Sequence, residues 1–300
     1  MQIEQIVVAT DLSKEAERTL GPATSLAKKT GAKINLVHAI HTMDHPKDGE
    51  PMGTLVGPPD YDAEIESAER ELEKLAGSLE TETSHCVVTG SGVARSIVRY
   101  ANEIEADLLA ISTHGRTGLG RLVMGSVAEE VLRRSDVPVL CFPQRDPHIR
   151  SVADVEHILL TTDLSTEALR PFEPVLELAK QLDCRVTVLH VVRVLAAIPY
   201  GAPLAPPVKP PDLGAAMDHA RATAIEQCSS LGAANLDVVV VEHDKPAIAV
   251  AEFAAKNDVD LVAISTHGRT GWRRAAMGSV AEQILRRSPV PVLSFHSNKA

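Results

Sequence analysis

Two stretches of this chain join a strand end, a glycine-rich loop and a helix start, and both could hold an anion. In the first, Ser112-Thr113-His114-Gly115-Arg116-Thr117-Gly118 leads to Met124-Gly125-Ser126-Val127; in the second, Ser265-Thr266-His267-Gly268-Arg269-Thr270-Gly271 leads to Met277-Gly278-Ser279-Val280. A glycine ahead of a helix lets backbone N–H groups approach an anion closely. The helix start adds unpaired N–H donors and a partial positive charge. Ser126 and Ser279 offer hydroxyls, and Arg116 and Arg269 offer charge. This is phosphate chemistry without a Walker lysine, since neither half contains GxxxxGK[ST]. Ser126-x-x-Glu129 and Ser279-x-x-Glu282 also fit the capping box, in which the serine merely closes its helix. Local residues leave both readings open.

A carboxylate accompanies each loop. Thr10-Asp11-Leu12-Ser13 recurs as Thr162-Asp163-Leu164-Ser165. Such an Asp either reaches a ligand or bonds its own turn, and its presence at both strand ends favours ligand contact. His38 and His190 end equivalent strands; a bond to backbone is the expected role, ahead of metal binding. His114 and His267 shape the loop or touch the ligand, because no nucleophile or carboxylate matches them as a catalytic partner. His41 and His45 have i,i+4 spacing in a Pro- and Gly-rich loop, a weak zinc signal.

The elements that position these residues occur twice. Ala110–Leu140 and Ala263–Leu293 are identical at 24 of 31 positions, at a constant offset of 153. A period this long marks whole domains, one over 1–145 and one over 155–300, with Gln144–Asp154 as the polar linker. In the first half, short apolar runs at Ile6–Ala9, Ile34–Ile40, Cys86–Val88, Leu108–Ile111 and Val137–Phe142 predict strands buried on both faces. Between them lie helical patterns from Ser13 to Thr30, Tyr61 to Leu79, Val93 to Glu105 and onward from Ser126. Long Pro-rich loops follow both second strands, at His41–Asp60 and Arg193–Asp212. Each half thus reads β-α-β-α-β-α-β-α-β, which predicts an α/β fold of two tandem, doubly wound, five-stranded parallel-sheet domains. In such sheets ligands sit beyond the carboxyl ends of the strands, where the strand order switches. The phosphate-type loops and the two aspartates fall there.

Composition excludes other classes. A formal charge of -10 argues against a nucleic-acid backbone partner, and 3% aromatic residues against a single-strand stacking platform. No apolar run reaches membrane-spanning length, and the opening MQIEQIVVAT lacks the pattern of a signal peptide. Cys86, Cys141, Cys184 and Cys228 have no CxxC spacing and no repeat between halves, as expected of reduced thiols in a cytoplasmic protein.

With these motifs in hand, nearly the whole chain resembles the universal stress protein family in its tandem form. The nucleotide-binding branch of that family carries G-x2-G-x9-G-[ST] after its fourth strand. Here the pattern reads Ser112-x2-Gly115-x9-Gly125-Ser126 and Ser265-x2-Gly268-x9-Gly278-Ser279: spacing is kept, and serine replaces the first glycine in both copies. The resemblance implies an adenine nucleotide alpha-hydrolase-like fold and ATP as ligand, with or without Mg. It implies that Asp11 and Asp163 reach the nucleotide or its ion, and that the backbone of Ala39 and Val191 reads adenine. With their neighbours, the implied nucleotide-binding set is Ala9, Thr10, Asp11, Ala39, Ser112, Thr113, His114, Gly115, Arg116, Gly125, Ser126 and Val127. The second half repeats it as Thr162, Asp163, Val191, Ser265, Thr266, His267, Gly268, Arg269, Gly278, Ser279 and Val280. Glu242-His243-Asp244-Lys245, opposite Thr89-Gly90-Ser91-Gly92, is expected to make the second site less open. The resemblance also implies that the fifth strands pair, giving an internal pseudo-dimer, and it makes a homodimer and a protein partner plausible. The expected role is nucleotide-dependent stress response or signalling, with weak ATP hydrolysis at most. A slow nucleotide hydrolase and a nucleotide-free interaction scaffold are the alternatives.

Overall fold

The computed structural model describes residues 1–42, 61–113, 124–143, 155–193, 212–233, 236–266 and 277–296. The chain divides into two compact units, one over Gln2–Asp154 and one over Val155–Lys299.

In the first unit, strands β1 (Gln5–Ala9), β2 (Lys33–His41), β3 (Thr83–Gly90), β4 (Leu108–Ser112) and β5 (Val139–Phe142) alternate with helices α1 (Lys14–Thr30), α2 (Tyr61–Ser78), α3 (Val93–Glu103) and α4 (Ser126–Arg134). The strand order is β3-β2-β1-β4-β5, parallel throughout. Ile6, Val7 and Val8 are fully buried one after another. Successive strand residues point to opposite faces, so helices must cover both. Each such side chain contributes about 1.5–3 kcal/mol by leaving water. Helix α3 lays Ala94, Ile97, Val98 and Ala101 on the sheet, whereas α2 buries only Ala68 and Leu72.

The second unit repeats the pattern with β6 (His157–Thr162), β7 (Arg185–Val192), β8 (Asp237–Glu242), β9 (Leu261–Ser265) and β10 (Val292–Phe295), and helices α5 (Phe172–Leu182), α6 (Leu213–Ser230), α7 (Pro246–Lys256) and α8 (Ser279–Arg287). Its order is β8-β7-β6-β9-β10, again parallel. The α/β class and the two tandem parallel sheets expected from the sequence are therefore present.

Local differences have local causes. Strand β3 is longer than its apolar core Cys86–Val88, because its first part, with Ser84 and His85 exposed one after the other, is uncovered and needs no apolar run. Strand β5 starts at Val139, later than expected. Pro138 just before it has no N–H to give a ladder, but its carbonyl accepts from Leu109 N–H at 2.9 Å. Helix α1 runs unbroken to Gly31, whose φ of 75° is the left-handed value that ends a helix. In the second unit the same segment splits into a short 3-10 turn (Glu167–Leu169) and α5. Pro171 stands where α1 has Thr19, and a proline there removes an N–H and crowds the preceding turn.

One brace is common to both units. Asp107 Oδ2 accepts from the N–H groups of Glu4 and Gln5 at 2.8 and 2.9 Å. Asp260 Oδ2 accepts from Glu156 and His157 at 3.0 and 3.1 Å. Each carboxylate ties the start of its unit's fourth strand to the start of its first. This fixes, from the far end, how those strands align at the carboxyl end where the candidate site lies.

Candidate functional site

The crevice of the first unit opens where β1 and β4 run side by side and the strand order reverses. Ala9 pairs with Ile111, so Thr10 and Ser112 stand next in line at the carboxyl ends. The chain leaves β1 through a strained turn: Leu12 has φ 61°, an uncommon value for a branched residue. Side chains hold it there. Thr10 Oγ1 accepts from Leu12 N–H at 3.0 Å; Asp11 Oδ1 accepts from Ser13 N–H at 3.0 Å and from Ser13 Oγ at 2.5 Å. Ser13 Oγ in turn caps α1 by accepting from Ala16 N–H at 3.2 Å. The second unit repeats the turn around Leu164, φ 66°, with the same bonds from Leu164 to Thr162 and from Ser165 to Asp163. These aspartates thus have the turn-forming role, one of the two readings their position allowed.

The strand-end histidines are bonded to backbone, as expected. His38 Nδ1 donates to the Thr10 carbonyl at 2.8 Å and His190 Nδ1 to Thr162 at 2.9 Å. This pins the first two strands of each unit together at the crevice. Beyond that point β2 continues while β1 has ended. Along β2, Lys33 N–H and Val37 carbonyl face β1, whereas Ile34 and Thr42 N–H groups bond toward β3. By this alternation the peptide groups of Ala39 face the β1 side, past the last ladder residue Ala9. Val191 has the corresponding place on β7, beside the end of β6.

The far wall is a helix start. Thr113 is buried, with N–H and Oγ1 both bonded to the Phe142 carbonyl at 3.1 Å; its own carbonyl accepts from Gly125 N–H at 2.8 Å. Thr266 does the same with Phe295 and Gly278. These threonine hydroxyls point inward, so they shape the wall. Gly125 and Gly278 are the N-caps of α4 and α8, and no side chain caps either helix. Ser126 and Ser279 therefore lie inside the first turn, exposed, and do not complete the capping box. The first helical bond runs from Glu129 to Gly125, and from Glu282 to Gly278. The N–H groups of Ser126, Val127 and Ala128, and of Ser279, Val280 and Ala281, are left without a helical acceptor. A Cβ on Gly278 would lie 3.3 Å from the Thr266 carbonyl, so glycine allows the helix start to close on the strand end. Three aligned donors, a dipole and nearby hydroxyls fit a phosphate group.

His114, Gly115, Arg116, His267, Gly268, Arg269 and His45 lie outside the described residues. Among the described residues no cluster of three His, Cys, Asp or Glu side chains could hold a metal ion, and no helix is long and apolar enough to cross a membrane. Beside the second crevice, Lys245 N–H donates to His243 Nδ1 at 2.9 Å, and Lys245 is the N-cap of α7 where Gly92 serves α3. Sequence reading missed Gln227, whose Nε2 donates to the Leu164 carbonyl at 3.1 Å. It lies on a helix with little amphipathic pattern, so no signal pointed to it. Cys141 is buried in β5, which pushes its thiol up to about 12 and keeps it protonated.

Comparison with known proteins settles the family. The profile of the universal stress protein family matches residues 2–143 and again 155–296. The chain belongs to this family. Among its relatives, the stress response protein NhaX of Bacillus subtilis is 26% identical over 160 residues, covering 46% of this chain and 96% of that protein. A universal stress protein of Methanocaldococcus jannaschii is 29% identical over 142 residues, covering 46% of this chain and 80% of its own length. Each of these spans about one domain of the tandem. A universal stress protein of Archaeoglobus fulgidus superposes over 97% of this chain and 96% of its own, with a TM-score of 0.68 at 21% identity, a likeness of fold.

Proposed function

We propose that this tandem universal stress protein binds an adenine nucleotide, ATP with or without Mg, in one or both crevices, and acts as a nucleotide-dependent regulator of a stress response. The observation that carries the reading is the helix start at Gly125 and at Gly278: three N–H donors without helical acceptors and without a side-chain cap, closed against the strand end. A phosphate supplies the acceptors these donors lack. Gly125, Ser126 and Val127 hold it in the first unit; Gly278, Ser279 and Val280 hold it in the second. The peptide groups of Ala39 and Val191 face the crevice side of their strands, a position suited to an adenine edge. Asp11 and Asp163 stand on the opposite lip. Their Oδ1 atoms hold the turn, which makes them poor general bases and fits a binding role over a hydrolytic one.

The test is direct. Freshly purified protein, when denatured, releases adenine nucleotide, and Mg-ATP added to stripped protein gives heat and raises Tm. A ligand at 100 times Kd stabilises the folded state by about 2.7 kcal/mol. Absence of released nucleotide, of heat and of a Tm shift would overturn the reading.

A further inference from the structure

A groove between helices α3 and α4 of the first unit uses none of the crevice residues. It holds about 470 Å³ and is lined by Arg95, Val98, Arg99, Asn102, Glu103 and Arg134. Arg95 and Arg99 stand one turn apart on α3, both exposed, and Arg134 is the last residue of α4. Among the described residues Arg95 has no hydrogen-bond or ion-pair partner. Arg99 meets Glu103 at 3.6 Å and Arg134 meets Glu130 at 2.8 Å. Both pairs are solvent-exposed, so they hold the guanidinium groups weakly. Three arginines clustered on a chain of formal charge -10 form a surface unlike the rest of it.

The same unit carries the complementary surface. Helix α2 buries only Ala68 and Leu72. Away from them, Asp62, Glu66, Glu69 and Glu73 follow at i, i+4, i+7 and i+11, all exposed, which makes one acidic stripe along the helix. Neighbours on that stripe have the one-turn spacing of Arg95 and Arg99. The two surfaces cannot meet within one copy. The step from β2 to β3 continues the direction of the step from β1 to β2, and the step from β3 to β4 reverses it, so right-handed crossovers put α2 and α3 on opposite faces of the sheet. The second unit lacks both surfaces. Ile248 and Glu252 of α7 stand for Arg95 and Arg99 of α3. Gly214, Asp218, Arg221 and Ile225 of α6 stand for the four carboxylates of α2. An external acidic partner would call for the groove alone; stripes present together in one unit and missing together in the other fit surfaces that meet each other. We infer that the first unit is a self-association surface, with the Asp62–Glu73 stripe of one copy seated against Arg95, Arg99 and Arg134 of a second copy. A two-fold axis makes the contact twice. The interface is ionic and exposed, so salt screens it.

The experiment is sedimentation velocity on full-length chains. Wild type is expected to dimerise at about 50 mM salt and to dissociate toward monomer at about 500 mM. The double variant Arg95→Glu with Arg99→Glu weakens the dimer about a hundredfold, because like charges then face each other in both contacts. Glu69→Arg with Glu73→Arg weakens it to a similar extent. Mixing the two variants in equal amounts restores a dimer, since each then offers the other a surface of opposite charge. All four positions are exposed, so circular dichroism and Tm of the variants match wild type. A wild type that stays monomeric at low salt would overturn the inference. So would a dimer indifferent to salt and to both variants, or two monomeric variants that fail to pair when mixed. Binding of poly-glutamate by a monomeric wild type, lost in the arginine variant, would also overturn it and assign the groove to an external acidic partner.

Discussion

Asp11 and Asp163 hold their turns, and substitution can separate that role from the nucleotide contact proposed for them. As turn residues they supply Oδ1 to a neighbouring N–H and hydroxyl, and this holds Leu12 and Leu164 at positive φ. Asparagine keeps that oxygen and loses the charge; alanine loses both. Asp11→Asn is expected to leave stability within about 0.5 kcal/mol of wild type, and Asp11→Ala to cost about 1–2 kcal/mol, read by urea unfolding. If Asp11 also faces the metal or phosphate end of a nucleotide, Asp11→Asn changes the Mg dependence of ATP affinity without changing fold stability. Equal stability losses in both variants would mean that the turn does not depend on Oδ1. The sequence named both aspartates from their repetition alone. It could not tell a turn bond from a ligand contact, because the same residue type at the same place serves either.

At the scale of elements, the two first strands begin differently. His157 opens β6, 3% exposed, with Nδ1 donating to the Asn257 carbonyl at 3.0 Å and Nε2 against Thr187 Oγ1 at 2.8 Å. The matching residue of β1 is Gln5, whose Oε1 accepts from Asn35 Nδ2 at 3.3 Å. Burial lowers the His157 pKa; the Arg185 charge also lowers it, while the Asn257 carbonyl and Asp260 oppose the shift. The folded state therefore binds fewer protons than the unfolded chain. Stability is fully present above the unfolded value of about 6.5 and is lost as pH falls through the lower folded value. Wild type is expected to lose Tm faster than His157→Gln as pH falls from about 7 to about 5. Parallel Tm curves for the two proteins would refute this. No sequence pattern announced the histidine, since its role depends on the Thr187 hydroxyl of β7 and the Asn257 carbonyl at the end of α7, which meet only in the fold.

For the whole molecule, the duplication makes a quantitative expectation. Two crevices with the same helix start should take two nucleotides per chain at saturation. Gly278→Val places branched bulk against the Thr266 carbonyl, where even a single Cβ lies at 3.3 Å. Calorimetry should then show about one site per chain where wild type shows about two, with the remaining affinity unchanged. A stoichiometry of one in wild type, lost in Gly278→Val, would assign binding to the second unit alone. The turn at His243–Lys245 would then not be an obstruction.

The sequence by itself determined the class and the count: two parallel α/β domains, read from strands apolar on consecutive residues, helical spacing between them and a repeat kept at fixed offset. These signals are legible because burial on both faces of a strand dictates residue type directly. It also placed the candidate crevices, since the carboxyl ends of β1, β4, β6 and β9 follow from chain order. Tertiary structure decided what each polar atom does there. It moved Ser126 and Ser279 off the capping position, turned the Thr113 and Thr266 hydroxyls inward, bonded His38 and His190 to backbone and left Ser265 Oγ without a partner. A hydrogen bond depends on distance and direction to a group remote in sequence, and residue spacing does not carry that information.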